Sequence, residues 1–475
     1  MIRYLSTRGG GASRTFEDVL LAGLAPDGGL YVPDSWPAIN VEALKGKSYV
    51  DIAEAVTYPF VEGAIGRVEY RKILEETYGP NVFRHPDVVP LHPLPHQAGG
   101  NITVLELFHG PTIAFKDVAL QLLGRLFDHV LKKRGERITI VGATSGDTGS
   151  AAIEGCKACE QADLFILHPK GRVSDVQRRQ MTTVDAPNVF NIAIEGTFDD
   201  CQNLVKAMFN DAPFRDGVRL SAVNSINWAR IMAQIVYYFV AAVRLGAPEK
   251  EVSFVVPTGN FGNMYAAYAA QQMGLPITHL CVSTNKNDIL DRFLATGEMT
   301  TGEAFATLSP SMDIQISSNF ERYLFDLLDR DPVKLKALMD SFKETGHFAV
   351  EGEQMIAARG KFYSSRAEDF ETLDMMQKCS VFDDYVLDPH TAVGMMGARM
   401  LSEETEGKGT IVLLATAHPA KFPDAVRQGL AFTPSLPNHL AGLMEREEKY
   451  TVLENNLRTV EDFIRQRSRV SGKKV

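Results

Sequence analysis

From residue 101 onward, short runs of β-branched and aliphatic residues alternate with amphipathic segments of helical period, and this alternation constrains the fold more than any other feature. It predicts an α/β core in which parallel strands are joined by helices. Several runs are apolar throughout, as in strands that helices cover on both faces. Ligands bind beyond the carboxyl ends of such strands, so a site is expected in the strand-to-helix turns. Strands are predicted at 102–107, 138–142, 164–167, 189–194, 252–256, 277–282 and 410–414.

The length of the chain and the changes in composition along it predict several domains. A chain of 475 residues is too long for one compact core. Residues 1–92 are predicted to form a mainly helical domain with a helix start at Thr15, and prolines and glycines between residues 86 and 100 mark its boundary. The catalytic α/β core is expected at 93–430, with a smaller mobile subdomain at about 128–215 and a helical insertion at about 320–380. Residues 431–475 are expected to be helical, with a solvated basic end made of Arg465, Arg467, Arg469, Lys473 and Lys474.

Composition narrows the classes of function. The net charge of −10 argues against nucleic acid or an anionic membrane as a partner, since both need a basic surface. The longest apolar run, 235–243, is too short for a membrane span, and the first residues lack the apolar stretch of a signal peptide, so a cytoplasmic location is expected. Five cysteines give no disulfide framework. Cys156 and Cys159 lack a second pair or a nearby histidine for zinc, which favours helix packing.

Lys116 follows a His-Gly-Pro turn and precedes a helical segment in which apolar residues recur every fourth position from Val118 to Val130. The start of a helix is the positive end of its dipole, and burial would further disfavour the charge of a lysine placed there. A partly neutral lysine is a nucleophile that can form a Schiff base with a carbonyl group. The alternative is a surface lysine that lies over an apolar face while Asp117 caps the helix.

The turn at 144–149, Thr-Ser-Gly-Asp-Thr-Gly, joins a predicted strand to a predicted helix. Small hydroxyl side chains and glycines let a ligand approach the backbone, and the helix start offers N–H groups to a carboxylate or a phosphate. An N-cap cluster that binds nothing is the alternative, although two glycines are more than capping requires. The candidate binding residues are Ser145, Gly146, Asp147 and Thr148.

A second turn, Gly-Asn-Phe-Gly-Asn, follows the strand predicted at 252–256. Glycines here free successive amides to converge on phosphate oxygens at a helix N-terminus. The turn has neither a Walker nor a dinucleotide signature, and asparagine and glycine are also ordinary turn residues. The candidate phosphate-binding residues are Gly259, Asn260, Phe261, Gly262 and Asn263.

A third turn, 416–421, follows the strand predicted at 410–414. The hydroxyl of Thr416 could hydrogen-bond a heteroaromatic nitrogen without placing a full negative charge beside it, whereas His418 is interpreted as a packing residue. The three turns and Lys116 together offer an amine for a carbonyl, amides for a phosphate, hydroxyls for a carboxylate and a neutral partner for a ring nitrogen. These groups match pyridoxal phosphate carrying an amino acid.

Six motifs occur in order along the chain: HGPTIAFKD, TSGDTGSAA, NSINWAR, PTGNFGN, TNKND and TAHPAKF. With them the chain resembles the threonine synthase family in its longer bacterial and fungal form, except that Ala415 stands where the family often has glycine. The resemblance implies a pyridoxal-phosphate enzyme of the tryptophan-synthase-β fold type (fold type II). It further implies conversion of the small molecule O-phospho-L-homoserine, with water, into L-threonine and phosphate, the last step of threonine biosynthesis. The chain is expected to act as a monomer or a homodimer.

The resemblance also assigns residues. It implies that Lys116 forms the Schiff base and that residues 259–263 form the loop that binds the cofactor phosphate. It also implies that Thr416 is the partner of the pyridine nitrogen and that residues 145–148 hold the substrate carboxylate. Lys116, once free, is expected to remove the α-proton and later a β-proton, after which phosphate leaves Cγ and water adds at Cβ.

The substrate phosphate needs cationic partners of its own, since clustered arginine and lysine are the usual solution. We nominate Arg230 and Lys421, with Asn224 and Ser225 as neutral donors. Each of them could instead be an ordinary surface group.

Three rival interpretations remain open. A threonine dehydratase or cysteine synthase would share Lys116 and the phosphate loop without a second phosphate pocket. A non-catalytic protein of this fold could sense an amino acid or phosphate. A nicotinamide oxidoreductase is disfavoured because the dinucleotide fingerprint is missing.

Overall fold

The structure, a computed structural model, describes residues 1–471. None of the helices in this range is long and apolar enough to cross a membrane. The α-helices of this range are α1 (Phe16–Ala22), α2 (Tyr49–Val61), α3 (Arg67–Tyr78), α4 (Lys116–Arg134), α5 (Asp147–Cys156), α6 (Asp175–Thr182), α7 (Phe198–Asn210), α8 (Ala212–Gly217), α9 (Trp228–Arg244), α10 (Gly262–Gln272), α11 (Ile289–Thr296), α12 (Phe320–Leu327), α13 (Pro332–Thr345), α14 (Gly352–Lys361), α15 (Asp369–Asp383), α16 (Pro389–Glu404), α17 (Pro423–Leu430) and α18 (Leu457–Arg467).

Strands form two larger sheets and two small antiparallel pairs in this range. They are β1 (Tyr4–Ser6), β2 (Tyr31–Pro33), β3 (Leu91–Leu94), β4 (Ile102–Glu106), β5 (Ile138–Ala143), β6 (Ala162–Pro169), β7 (Val189–Glu195), β8 (Leu220–Ser221), β9 (Val252–Pro257), β10 (Ile277–Thr284), β11 (Glu298–Thr300), β12 (His347–Ala349), β13 (Phe362–Arg366), β14 (Thr410–Ala415) and β15 (Thr451–Glu454).

The six-stranded sheet has the order β13-β10-β9-β14-β4-β3. All its pairs are parallel except the β3–β4 pair at one edge. Successive side chains of β14 enter different cores: Val412 and Leu414 pack with α9 and α10, and Ile411 and Leu413 pack with α16. Both faces are therefore covered, which explains why the run is apolar throughout. Because β9, β14 and β4 are neighbours, the turns that follow them lie side by side at one edge of the sheet.

The second sheet is parallel throughout, with the order β15-β7-β6-β5-β8. Its strand β6 is buried at every position. Strand β5 ends at Ala143 and leads directly into the turn at 144–149. The smaller sheet therefore supplies one of the turns predicted to bind a ligand, and the larger sheet supplies the others.

The first residues of the chain pack onto the main core. Helix α1 begins after Thr15, whose hydroxyl caps the helix in a reciprocal capping box with Asp18, so the predicted helix start is confirmed. Strands β1 and β2 pair antiparallel. The ring of Tyr4 on β1 lies 6.0 Å from that of Trp228 at the start of α9. This contact joins the N-terminal residues to the helix that carries Arg230.

All seven predicted strands are present, as β4, β5, β6, β7, β9, β10 and β14, with ends that shift by up to two residues. The prediction missed the short strands β3, β8, β13 and β15, which form the edges of the two larger sheets. An edge strand is covered less completely, so it needs no continuous apolar run, and β3 also contains Pro93. Strand β13 lies within 320–380, which was expected to be helical.

The prediction of a solvated basic end is wrong for two of its residues, Arg467 and Arg469. The guanidinium of Arg469 pairs with Asp163 at 2.6 Å, and that of Arg467 lies 3.6 Å from the centre of the Phe463 ring. The first contact binds Arg469 to β6 of the smaller sheet, and the second lies within α18. Lys473 and Lys474 lie outside the described residues.

Helices α4 and α5 approach each other through two glycines. A Cβ on Gly124 would lie 1.9 Å from the Gly155 carbonyl oxygen, and a Cβ on Gly155 would lie 2.3 Å from that of Leu120. The two backbones are thus closer than any other residue would permit. Since α4 begins at Lys116 and α5 at Asp147, this contact sets the separation of those two side chains.

Replacing Gly124 by Ala should lower the free energy of unfolding by about 1–3 kcal/mol, because the added methyl group forces the helices apart. Urea unfolding followed by circular dichroism measures the change. Gly360→Ala is the matched control, since a Cβ on this helical glycine meets nothing within 4 Å. Its stability should stay the same or rise slightly. Equal losses in both variants would contradict the close helix contact.

Candidate active site

Backbone hydrogen bonds between two loops place Lys116 beside Thr416. The amide of Phe115 donates to the carbonyl of Thr416 at 2.8 Å, and the amide of His418 donates to the carbonyl of Ile113 at 3.0 Å. The loops follow the neighbouring strands β4 and β14. The predicted amine and the predicted partner of a ring nitrogen therefore lie on adjoining segments.

Lys116 is buried, with 11% of its side chain exposed. Its Nζ donates to Oδ2 of Asp147 at 3.1 Å and lies 5.0 Å from the centre of the Phe115 ring. Burial lowers the pKa of Lys116; the Asp147 carboxylate opposes this shift, and the nearby charges of Lys421 and Arg230 add to it. The surface-lysine alternative is wrong, and the side chain has the environment of a reactive amine.

Asp117 does not cap helix α4. Its carboxylate accepts hydrogen bonds from the amide and the hydroxyl of Thr112, each at 2.8 Å, and so closes the turn that precedes the helix. Burial raises the pKa of Asp117 to about 6. Asp117 therefore shapes the loop that leads to Lys116.

The carboxylate of Asp147 has four partners. Oδ2 accepts from Lys116 and from the hydroxyl of Ser311 at 3.0 Å, while Oδ1 accepts from Gln177 at 2.7 Å and lies 3.2 Å from Nζ of Lys421. Burial opposes ionisation, but the charges of Lys116 and Lys421 outweigh it and hold the pKa of Asp147 well below its ordinary value. The carboxylate is therefore charged and directed at the amine, a position that the sequence did not predict.

The turn before α5 leaves the amide of Ser145 free within the described residues, whereas the amides of Gly146 and Gly149 donate to the hydroxyl oxygen of Thr144, each at 2.9 Å. Gly146 has φ of 139°, and a Cβ there would lie 2.6 Å from the side chain of Gln177, so only glycine fits. The helix begins at Asp147, which places Asp147 and Thr148 in its first turn. Ser145 is exposed, and among the described residues its amide has no protein acceptor. This turn can offer N–H groups to an anion.

The turn at 259–263 also presents free amides. Within the described range, the amides of Gly259, Asn260 and Phe261 donate to no protein acceptor, and Gly262 begins helix α10. Phe261 has a left-handed backbone, and its side chain packs into an aromatic cluster away from the turn. The side-chain oxygen of Asn263 accepts from two tyrosine hydroxyls, so this asparagine supports the turn from behind. Successive free amides at a helix start form a phosphate-binding nest.

Ser311 lies between the two predicted halves of the site. Its hydroxyl donates to the Asp147 oxygen that accepts from Lys116, and its carbonyl oxygen lies 2.8 Å from where a Cβ on Gly259 would be. One residue thus separates the amine from the turn with the free amides.

Arg230 is buried in the first turn of α9, with 3% of the residue exposed. Its Nε and Nη1 have no hydrogen-bond partner among the described residues. Burial lowers the pKa of Arg230 to about 10, and its charge is close enough to Lys116 to affect that residue's pKa. A buried guanidinium without partners is costly, so this geometry indicates that an anionic ligand completes the site.

The other nominated phosphate ligands have different environments. Lys421 is fully buried and donates to the carbonyl of Thr112 at 2.8 Å besides its ion pair with Asp147. The side-chain oxygen of Asn224 is buried without a partner in the described part of the chain. The carbonyl of Ser225 accepts from Asn319 at 3.2 Å.

Sequence reasoning missed the residues that hold the amide-rich turn in place. The amide and the side chain of Asn319 both donate to the carbonyl of Asn260 at 3.0 Å. The guanidinium of Arg322 donates to the side chain of Asn319, to the carbonyl of Tyr31 and to that of Ile226. The segment before these residues has little regular structure, so no periodic signal pointed to it.

Thr416 and His418 differ in whether their side chains are free to bind a ligand. The hydroxyl of Thr416 has no hydrogen-bond partner among the described residues and is free to meet a ligand. The Nδ1 atom of His418 accepts from the amide of Ala420, and its ring lies edge-on to Phe108 at 5.4 Å. Burial lowers the pKa of His418 to about 4, so this ring is neutral.

Known proteins match this chain along almost its whole length. Three family models match consecutive segments: Threonine synthase N terminus at residues 3–78, Pyridoxal-phosphate dependent enzyme at 82–338, and Threonine synthase, C-terminal, at 391–464. The threonine synthase of Pseudomonas aeruginosa is 55% identical over 98% of each chain. The chain belongs to the threonine synthase family.

Two solved structures of the threonine synthase family superpose closely on this chain. A threonine synthase from Brucella melitensis with bound pyridoxal phosphate has a TM-score of 0.95 and 52% identity, covering 99% of this chain and 100% of that one. The yeast enzyme has a TM-score of 0.91 and 39% identity, covering 98% of each. The predicted fold class is confirmed, and the chain is a pyridoxal-phosphate enzyme of threonine biosynthesis.

The side chains present fit that cofactor. A buried amine with a lowered pKa suits an aldehyde, and the free amides at 259–261 suit a phosphate. The unpaired hydroxyl of Thr416 suits a ring nitrogen, and it adjoins the amine through the backbone contacts of its loop. Pyridoxal phosphate contains the complementary partner of each group: an aldehyde for the amine, a phosphate for the amides and a ring nitrogen for the hydroxyl.

Replacing Arg230 by Met should stabilise the protein without ligand, because it removes a buried charge that has no partner. We expect the free energy of unfolding in phosphate-free buffer to rise by about 1 kcal/mol or more. The stabilisation that inorganic phosphate gives the wild type should shrink. Thermal unfolding with and without phosphate measures both effects. Arg322→Met is the control, and it should be destabilised because three protein acceptors lose their donor.

Proposed function

We propose that Lys116 is the catalytic amine with which this chain converts O-phospho-L-homoserine and water into L-threonine and phosphate. The observation that carries the proposal is the burial of this amine against the Asp147 carboxylate, which Ser311 connects to the turn of free amides at 259–261. A lysine in that environment is suited both to bind an aldehyde and to exchange protons.

Three groups of residues would hold pyridoxal phosphate. Lys116 would bind its aldehyde, the amides of residues 259–263 its phosphate and the hydroxyl of Thr416 its ring nitrogen. When bound, the cofactor supplies an electron sink for negative charge that develops on the substrate carbons. A neutral hydroxyl leaves less positive charge on the ring than a carboxylate would.

The two anionic ends of the substrate would meet different parts of the site. Its carboxylate suits residues 145–148, where the free amide of Ser145 precedes the start of helix α5. Its phosphate suits Arg230, whose Nε and Nη1 are free, with Asn224, Ser225 and Lys421 as further partners. Paired recognition of both ends would keep Cα and Cβ beside the amine of Lys116.

Lys116 would move the protons of the reaction. Its amine removes a proton from Cα and then one from Cβ, and phosphate leaves Cγ with the bonding electrons. Cγ would then gain a proton, a hydroxyl from water would add at Cβ while the other proton of that water passes to the departing phosphate, and Cα would regain its proton. Asp147 accepts a hydrogen bond from the ammonium of Lys116, which stabilises the amine whenever it carries the proton.

Lys116→Ala should reduce phosphate release from O-phospho-L-homoserine by about 10³-fold or more, because it removes both the cofactor amine and the proton carrier. After borohydride reduction of the wild type, peptide mapping should find the cofactor attached to Lys116. Lys361→Ala is the control, since this half-buried lysine binds only Gln271 among the described residues. A variant at Lys116 with normal turnover would disprove the assignment, and absence of turnover in the wild type would favour a binding protein.

Inorganic phosphate should inhibit competitively with the substrate, because the substrate phosphate occupies its own anion pocket at Arg230. A dehydratase or cysteine synthase of the same fold needs no such pocket. Initial rates at several phosphate concentrations measure the effect. Arg230→Lys, which keeps the charge but loses the planar pair of donors, should weaken inhibition by about 10-fold. Inhibition that is purely noncompetitive would argue against a shared pocket.

A further inference from the structure

Asp388 and His390 form a buried pair at the start of α16. Asp388 is 1% and His390 4% exposed. Nδ1 of His390 lies 2.9 Å from Oδ1 of Asp388. The Asp388 carboxylate also caps the helix, with Oδ1 accepting from the amide of His390 and Oδ2 from that of Thr391. Since an ionised carboxylate only accepts hydrogen bonds, the imidazole carries its proton on Nδ1. Nε2 is left as an acceptor.

Ser311 connects this pair to the catalytic amine. Its backbone amide donates to Nε2 of His390 at 3.1 Å. Its hydroxyl donates to Oδ2 of Asp147 at 3.0 Å, and the same oxygen accepts from Nζ of Lys116 at 3.1 Å. An unbroken series of contacts thus runs from Asp388 to Lys116, although its members come from four separate segments of the chain.

We infer that Asp388, His390 and Ser311 are positioning residues that hold the Asp147 carboxylate against the Lys116 amine. This inference rests on the proposed function, in which Lys116 is the catalytic amine. His390 fixes the backbone of Ser311, and the serine hydroxyl then fixes the oxygen that faces the amine.

The other partners of Asp147 cannot replace Ser311. Gln177 and Lys421 both contact Oδ1, so they leave the carboxylate free to turn about that oxygen. Only Ser311 and Lys116 itself contact Oδ2 among the described residues. Loss of the serine hydroxyl should therefore let Oδ2 move away from the amine.

The charges around Lys116 and Asp147 determine how the stability of the Lys116 ammonium changes when the carboxylate moves. Lys116 has Asp147 as its anionic neighbour and Lys421 and Arg230 as its cationic neighbours. If Oδ2 moves away, burial and the two cations dominate, so the ammonium form of Lys116 becomes less stable.

Groups from several segments of the chain surround the ring of His390. They are Asp388, the Ser311 amide, the ring of Phe422 with its centre 4.7 Å away, and the more distant carboxylates of Asp147 and Asp313.

The test measures the proton affinity of Lys116 directly in the full-length chain prepared without cofactor. The protein is acetylated with acetic anhydride at a series of pH values, and the extent of reaction at Lys116 is read by peptide mass spectrometry. Ser311→Ala and His390→Phe should each move the midpoint of Lys116 titration down by about one pH unit. His390→Gln should restore most of the shift, because its amide oxygen can accept from the Ser311 amide.

Two controls separate positioning from general damage. Ser402→Ala removes a buried hydroxyl of α16 that donates to Asn101 and to the carbonyl of Ala98, away from Ser311, and should leave the midpoint unchanged. Lys361 serves as an internal reference for the reactivity of the reagent. In the loaded enzyme, Ser311→Ala should lower kcat by about 10-fold with little change in KM, because the substrate-binding groups remain.

An unchanged Lys116 midpoint in Ser311→Ala would overturn the inference, whatever the activity of that variant. Should His390→Phe unfold, Ser311→Ala and the comparison of His390→Gln with wild type still decide the question. Failure of the proposed function would appear separately, as normal turnover in Lys116→Ala. A shifted midpoint together with normal turnover in Lys116→Ala would support the contact and reject the catalytic role.

Discussion

The buried ion pair between Lys116 and Asp147 joins the two sheets of the molecule. Lys116 follows β4 of the larger sheet, and Asp147 follows β5 of the smaller one. A buried ion pair is stable only if further hydrogen bonds compensate for the lost hydration. Gln177, Ser311 and Lys421 supply them here, so the carboxylate keeps its charge. The glycine contact between α4 and α5 brings the helices that carry the pair close enough for it to form.

An excess of positive charge surrounds this pair in a protein whose net charge is −10. Lys116 and Lys421 share the charged carboxylate of Asp147, whereas Nε and Nη1 of Arg230 have no partner among the described residues. The local field therefore favours anions, whereas the surface as a whole does not. A substrate with a carboxylate and a phosphate would neutralise the excess that the protein leaves uncompensated. Net charge is thus informative about excluded partners and uninformative about the charge of the site.

The positions of the binding turns could be predicted from the sequence because strand period and glycine-rich turns are local signals. The burial of Lys116 was one of two interpretations that its place at the start of an apolar helix allowed, and the structure decides between them. The direction of the Asp147 side chain did not follow, since it depends on Lys421 and Gln177, which come from distant segments. Ser311 and His390 were missed for the same reason, because neither lies in a motif whose spacing implies a contact.

Two fully buried arginines show why burial alone does not identify a ligand site. Burial lowers the pKa of both Arg230 and Arg322 to about 10. Arg322 donates to three protein acceptors, one of them the Tyr31 carbonyl of β2, and so ties the N-terminal strands to the turn at 259–263 through Asn319. Arg230 leaves Nε and Nη1 unpaired. The difference lies in hydrogen bonding: the donors of Arg322 are satisfied within the fold, whereas two donors of Arg230 remain available to a ligand.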